Sequence, residues 1–154
     1  MSFRILGLPA APFAELFGLS DQALAQRNAL RTLADQPHAY PCRISLTDAE
    51  PGQSVILMHY LHHPVDTPFR ASHAIYVRED EQTYDEIDQV PAMLRRRLLS
   101  VRGYDAGGML READLTEGAQ LEAAIERFLA QSCIGYLHLH IARPGCYAAR
   151  VERA

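Results

Sequence analysis

The chain has 154 residues, 48% hydrophobic and 22% charged, with a formal net charge of −4. This suits one compact domain over residues 1–154 and excludes a disordered or collagen-like chain. All 15 Lys+Arg positions are Arg, which excludes lysine Schiff-base and phosphate-loop chemistry, and the acidic balance argues against a nucleic-acid partner.

Residues 3–8 read as a short strand, followed by a helix that Ser20 caps at Asp21. Residues 28–35 suit a helix through Leu30 and Leu33, or a strand ending before Pro37. Residues 40–46 form a strand entered through Pro41, and residues 48–52 form a turn. Residues 54–61 are apolar on both faces and read as an interior strand. Residues 72–78 form another strand, with His73, Ile75 and Val77 on one face. Residues 79–88 read as a solvated acidic connection, and residues 91–98 as a short helix opened by Pro91. Residues 99–104 and 109–114 flank Ala106-Gly107-Gly108 as a β-hairpin. Residues 119–131 form the most clearly amphipathic helix, with Leu121, Ala124, Ile125, Phe128 and Leu129 on one face. Residues 134–142 and 146–151 are two strands around Arg143-Pro144-Gly145. The expected class is α+β, with a mainly antiparallel sheet of about six to eight strands and two or three helices.

No apolar run approaches a membrane span, and the first residues lack the order of a signal peptide. A cytoplasmic protein without a membrane partner is the expectation. Cys42, Cys133 and Cys146 make an odd count with no Cys-x-x-Cys, which argues against a disulfide framework or a thiolate zinc knuckle.

The most informative segment is Tyr136-Leu137-His138-Leu139-His140-Ile141. In a strand, Leu137, Leu139 and Ile141 share one face, and Tyr136, His138 and His140 share the other. Two imidazoles at i, i+2 can converge on one metal ion or one anion, although paired surface histidines are more common. A three-residue loop at 143–145 pairs His140 with Ala148 and His138 with Arg150, placing Cys146 and Arg150 on the histidine face. A two-residue loop at Pro144-Gly145 puts Tyr147 there instead. The longer loop is preferred, because a Pro-Gly type II turn splays a tight hairpin. A thiol beside His and Arg gains thiolate character; otherwise Cys146 fills space beside Ala148 and Ala149.

The link 62–71 is long for a hairpin and leads into His73. Its Arg70 can clamp a carboxylate or phosphate, whereas His62 and His63 read as solvated loop residues. His73 competes with a plain reading as a core histidine bonded to a carbonyl. Cys42 and Arg43 alternate across their strand, so one of them is structural, and a pair between Arg43 and Asp48 is the simple account. The run Arg95-Arg96-Arg97 reads as a helix end whose cations complement the macrodipole.

The segments PCRISLTDAEPG, TPFRASHAIYVRE, LRRRLLSVRGYDAGGM and HLHIARPGCYAARVERA resemble, in order, the bacterial family catalogued as domain of unknown function 1203. The family pattern is His-x-His-Asn-Ala-x-Pro-Gly-Cys-Tyr-Ala-Ala-Arg. His138, His140, Ala142, Pro144, Gly145, Cys146, Tyr147 and Arg150 match it, and Ile141 stands in place of the Asn. The resemblance implies a strand at 29–34 and assigns no activity or catalytic residue.

Two kinds of function follow. One is a small-molecule pocket built from His73, His138, His140 and Cys146, with Arg70 or Arg150 as anion clamp and Tyr147, Cys42 and Arg43 as further contacts. In its enzymatic form, Cys146 attacks an electrophilic carbon with His138 or His140 as general base. In a metal form, His73, His138 and His140 hold an ion such as zinc, with Asp105 or Glu79 as acid. The sequence does not favour zinc over a metal-free pocket. A non-enzymatic module would capture an anionic ligand in the same place. The other kind is a scaffold or homodimer with Tyr60, Tyr76 and Tyr136 at its interface.

Overall fold

The computed structural model describes all 154 residues. Its strands are β1 (Phe3–Leu6), β2 (Ala29–Leu33), β3 (Pro41–Cys42), β4 (Thr47–Asp48), β5 (Ser54–His63), β6 (Ala71–Val77), β7 (Asp85–Ile87), β8 (Leu98–Tyr104), β9 (Leu110–Glu117), β10 (Tyr136–Ile141) and β11 (Tyr147–Arg153). The α-helices are α1 (Asp21–Gln26), α2 (Ala92–Arg95) and α3 (Leu121–Leu129), with 3-10 helices at Ala11–Gly18 and Gly118–Gln120. A six-stranded sheet runs β7-β1-β11-β10-β8-β9, and a five-stranded sheet runs β2-β5-β6-β3-β4. Every pairing is antiparallel except β3 with β6. The α+β class therefore holds.

Eight strands exceed three residues; the other three, β3, β4 and β7, are too short to show a period-2 pattern in sequence. Residues 85–87 pair with β1 instead of forming a solvated connection. Residues 29–33 are a strand paired with β5, which settles the ambiguity there. The strand expected over 40–46 stops at Cys42, and the chain turns through Leu46 at φ 52°. The 3-10 helix at Ala11–Gly18 was not expected; its Pro12 suits a first helical turn. Helix α1 starts as its cap dictates, the Ser20 Oγ accepting from the Ala23 N–H at 3.1 Å.

Strand β10 is central and every one of its residues is buried. Its Leu137, Leu139 and Ile141 lie in one core cluster with Ile125, Phe128 and Leu129 of α3 and with Leu99 and Val101 of β8. A second cluster joins Ile56, Ile75 and Val77 of the smaller sheet to Phe13, Leu16, Leu24 and Tyr147. The larger sheet thus packs α3 on one face and meets the smaller sheet on the other. That second face carries Tyr136, His138 and His140, as strand alternation requires.

Phe128 is fully buried where α3 meets β8 and β10. Phe128→Ala is expected to destabilise the fold by roughly 3–5 kcal/mol, read as a lower urea midpoint at unchanged slope. A loss under about 1 kcal/mol would show that α3 is not part of the cooperative core.

Candidate functional site

Two strand irregularities build the interior between the sheets. In β5/β6, Leu61 pairs with Ser72 and His63 with Ala71, so His62 is an extra residue on β5. A bulge of this kind lets consecutive side chains turn to the same side. In β10/β11, His138 pairs with Arg150 and Leu139 with Ala149, as the three-residue loop predicts; His140 then pairs with Tyr147 instead of Ala148. The register shift puts Tyr147 opposite His140, so both Arg150 and Tyr147 are neighbours of the histidine strand. The hairpin closes through the Gly145 N–H donating to the Ile141 carbonyl at 2.9 Å, with Gly145 at φ 81°.

His62 and His63 are buried strand residues, not solvated loop. A signal for this exists in sequence: nothing between Leu61 and Pro64 breaks a strand. The His62 ring stacks on Tyr147, with centroids 5.2 Å apart and planes 9° apart. It meets His140 edge-on at 5.1 Å and His138 at 6.1 Å. His63 lies 5.0 Å from His138. Its Nδ1–H donates to the Phe69 carbonyl at 2.8 Å, so its Nε2 accepts from the Tyr136 hydroxyl at 2.6 Å. Arg150 lies over the Tyr136 ring at 4.1 Å and donates to Glu152 at 3.2 Å.

His140 Nδ1–H donates to the Gly145 carbonyl at 2.9 Å, leaving Nε2 with the free lone pair. That Nε2, with Nδ1 of His62 and Nδ1 of His138, is buried with no hydrogen-bond partner. His62, His138 and His140 each offer a ring nitrogen, and the three lie within 4.8 Å of one another. Burial lowers all three pKa values: His138 to about 2, His140 to about 3 and His62 to about 4. The neighbouring histidines, with Arg150 beside His138 and Arg102 beside His62 and His140, push the same way. The imidazoles are therefore neutral. His73 does not join this set.

His73 lines a separate cleft of about 370 Å³, with Arg43, Leu57, Tyr76, Arg97 and Cys146. Arg43 is 1% exposed and bridges the two sheets. Its Nε donates to the Tyr147 carbonyl at 2.7 Å, its Nη1 to the Pro41 carbonyl and its Nη2 to the Cys146 Sγ at 2.9 Å. Arg43 is not paired with Asp48, whose carboxylate binds Arg97 at 2.5 and 3.1 Å and Arg96 at 3.4 Å. In the basic run, Arg96 and Arg97 thus share Asp48, and Arg95 pairs with Glu122.

The residues singled out in sequence divide between these places. Arg43, His73 and Cys146 meet in the cleft, and His138, His140, Tyr147 and Arg150 meet along the histidine seam. Neither His138 nor His140 is hydrogen-bonded to Cys146, whose recorded side-chain partner is Arg43. Arg70 is exposed and faces Asp66 at 4.0 Å. Cys42 packs with Ala34, Ala49 and Val55, and burial pushes its thiol up to about 12. The tyrosines considered for an interface have partners: Tyr136 stacks with Tyr104, Tyr60 meets Phe13 and Tyr76 meets Tyr40.

The depressed histidine pKa values set a pH dependence. Above the unfolded value near 6.5, both states are neutral and stability is flat. Below it, the unfolded chain takes up protons that the buried rings refuse, so each ring removes roughly 1.4 kcal/mol per pH unit down to its folded pKa. Denaturation in chelator-containing buffer is expected to show a loss on the order of 5 kcal/mol from pH 7 to 5. A stability profile level across that range would contradict neutral burial of the three rings.

No curated protein and no solved structure matches the chain. A family model described as "Protein of unknown function (DUF1203)" matches residues 39–153, which include β3 to β11 and every residue of the seam and the cleft except His38. The chain belongs to the DUF1203 family.

Proposed function

We propose that the protein binds a small molecule with one negative charge and an apolar body, in the cleft where the β10–β11 turn meets β3, β5 and β6. The observation that carries this reading is the uncompensated charge of Arg43. A buried guanidinium normally pairs with a carboxylate. Here its partners are two carbonyls and a cysteine sulfur, which take three of its five N–H groups. Arg97 is ion-paired with Asp48, a carboxylate it shares with Arg96. Arg43 is the one guanidinium of the cleft without a carboxylate partner, and that single charge favours a monoanion over a phosphate dianion.

The remaining walls suit an apolar body. Leu57, Ala74, Tyr76, Ile141 and Pro144 line the cleft, and His73 supplies a ring with its Nδ1 3.2 Å from the Ala74 carbonyl. Cys146 lies against Arg43 at the cleft wall. Binding and orientation of the ligand are the roles assigned to these residues.

Benzoate and its neutral isostere benzamide test the reading directly. Titration followed by NMR is expected to give saturable shifts at Leu57, Tyr76 and Ile141 with benzoate, and about tenfold or weaker binding of benzamide. His73→Ala is expected to weaken benzoate severalfold. Equal affinity for the two probes, or benzoate shifts that do not saturate in the cleft, would overturn the proposal.

A further inference from the structure

We infer that His62, His138 and His140 form a binding site for one divalent transition-metal ion of the zinc class. This site is separate from the cleft and does not depend on what the cleft binds.

Each of the three rings has a buried nitrogen without a hydrogen-bond partner. Three neutral imidazoles hold six ring nitrogens, and of these only His140 Nδ1 has a hydrogen-bond partner in the protein. Three of the others are both buried and unpartnered. Each such atom costs on the order of 1–3 kcal/mol when left alone, so three in one place call for a common partner. His140 Nε2 carries a lone pair; with the protons of His62 and His138 on Nε2, all three unpartnered nitrogens carry lone pairs, and one water, with two hydrogens, cannot donate to all of them. One cation accepts all three.

The rings also converge on one point. The three offered nitrogens already lie within 4.8 Å of one another. Tetrahedral coordination at 2.0–2.1 Å requires nitrogens about 3.4 Å apart, so an ion would draw the rings together. The surroundings also fix the rings. Gly145 holds His140 as the Nδ1–H tautomer and leaves Nε2 for an ion, as outer hydrogen bonds do at metal sites. Tyr147 stacks against His62, and His63 packs on His138 while anchored by Phe69 and Tyr136.

The donor set selects the ion. Three neutral nitrogens with no carboxylate or thiolate suit zinc, cobalt, nickel, copper or ferrous iron and reject magnesium and calcium. Arg102 pairs with His138 on one side and Arg150 on the other. Arg150 is paired with Glu152, whereas Arg102 bonds the Ser100 hydroxyl and no carboxylate; with an ion present, Arg102 favours an anion, such as hydroxide or a carboxylate, as the fourth ligand.

The test uses the untagged full-length protein stripped with a chelator and titrated with Co²⁺ at pH 7. One equivalent is expected to bind, with the strong visible absorption of a four-coordinate site, and Zn²⁺ is expected to displace it. His62→Ala and His140→Ala are each expected to weaken Co²⁺ binding by about 100-fold or more. His59→Ala, an exposed histidine on the same strand, is expected to retain full affinity. The wild-type spectrum decides the matter even if a seam variant fails to fold. Absence of a stoichiometric Co²⁺ spectrum, or equal loss in His59→Ala and His62→Ala, would overturn the assignment.

Discussion

Three strand pairs depart from regular pairing by one residue, and the interior depends on two of these departures, in β5/β6 and β10/β11. A regular β5 would send His62 and His63 to opposite faces, because the side-chain period is two. The bulge at His62 turns both toward the larger sheet, where His62 meets Tyr147 and His63 meets Tyr136. The shift in β10/β11 pairs Tyr147 with His140, so that its ring stacks on His62. Neither irregularity places the rings alone. Together they convert a sheet-to-sheet contact that would ordinarily be aliphatic into a layer of histidine and tyrosine.

Such a layer is a poor source of stability. On its other face, β10 packs Leu137, Leu139 and Ile141 against α3, where burial of apolar area favours the fold directly. Across the seam, the same strand buries rings whose nitrogens have lost water and gained few hydrogen bonds. Arg43 adds a buried charge nearby, against carbonyls and a sulfur instead of an acid. Replacing such groups with apolar residues of similar size would commonly stabilise a protein. The penalty is tolerable because two core clusters, of 21 and 10 buried residues, flank the polar region. In the reading proposed above, this expense belongs to a binding site and not to an ordinary piece of core.

The legible parts of the molecule were those with a clean period. The alternation in 136–141 separates Leu137 and Leu139 from His138 and His140 without ambiguity, and the 3.6-residue spacing of α3 marks its buried face. The loop argument at Pro144-Gly145 gave the pairing of His138 with Arg150 and failed one residue later, at His140. A bulge has no composition of its own, so the shift was not legible there or at His62. Reading residues 62–71 as a loop hid half of the seam for that reason. Arg43 was obscured by a different effect: its strand ends at Cys42, and a residue on a turn is not bound by strand alternation. The family resemblance supplied membership and a strand at 29–34, observed at 29–33, but it could not say which side chains meet.

Tyr147 connects the two regions. Its ring lies against His62 in the seam, while its carbonyl accepts from Arg43 at the cleft. Arg43 in turn holds Cys146, the residue immediately before Tyr147. Gly145, one residue earlier, fixes the His140 tautomer through its carbonyl. Three consecutive residues of the turn into β11 therefore touch both polar groups, and a displacement of this backbone would alter the Arg43 contacts and the His140 hydrogen bond together. Gly145 is suited to that place because its φ of 81° is strained for residues with a Cβ, and the turn geometry aims its carbonyl at His140. The cleft and the seam differ in the chemistry of the ligands proposed for them, yet one short turn sets the geometry of each.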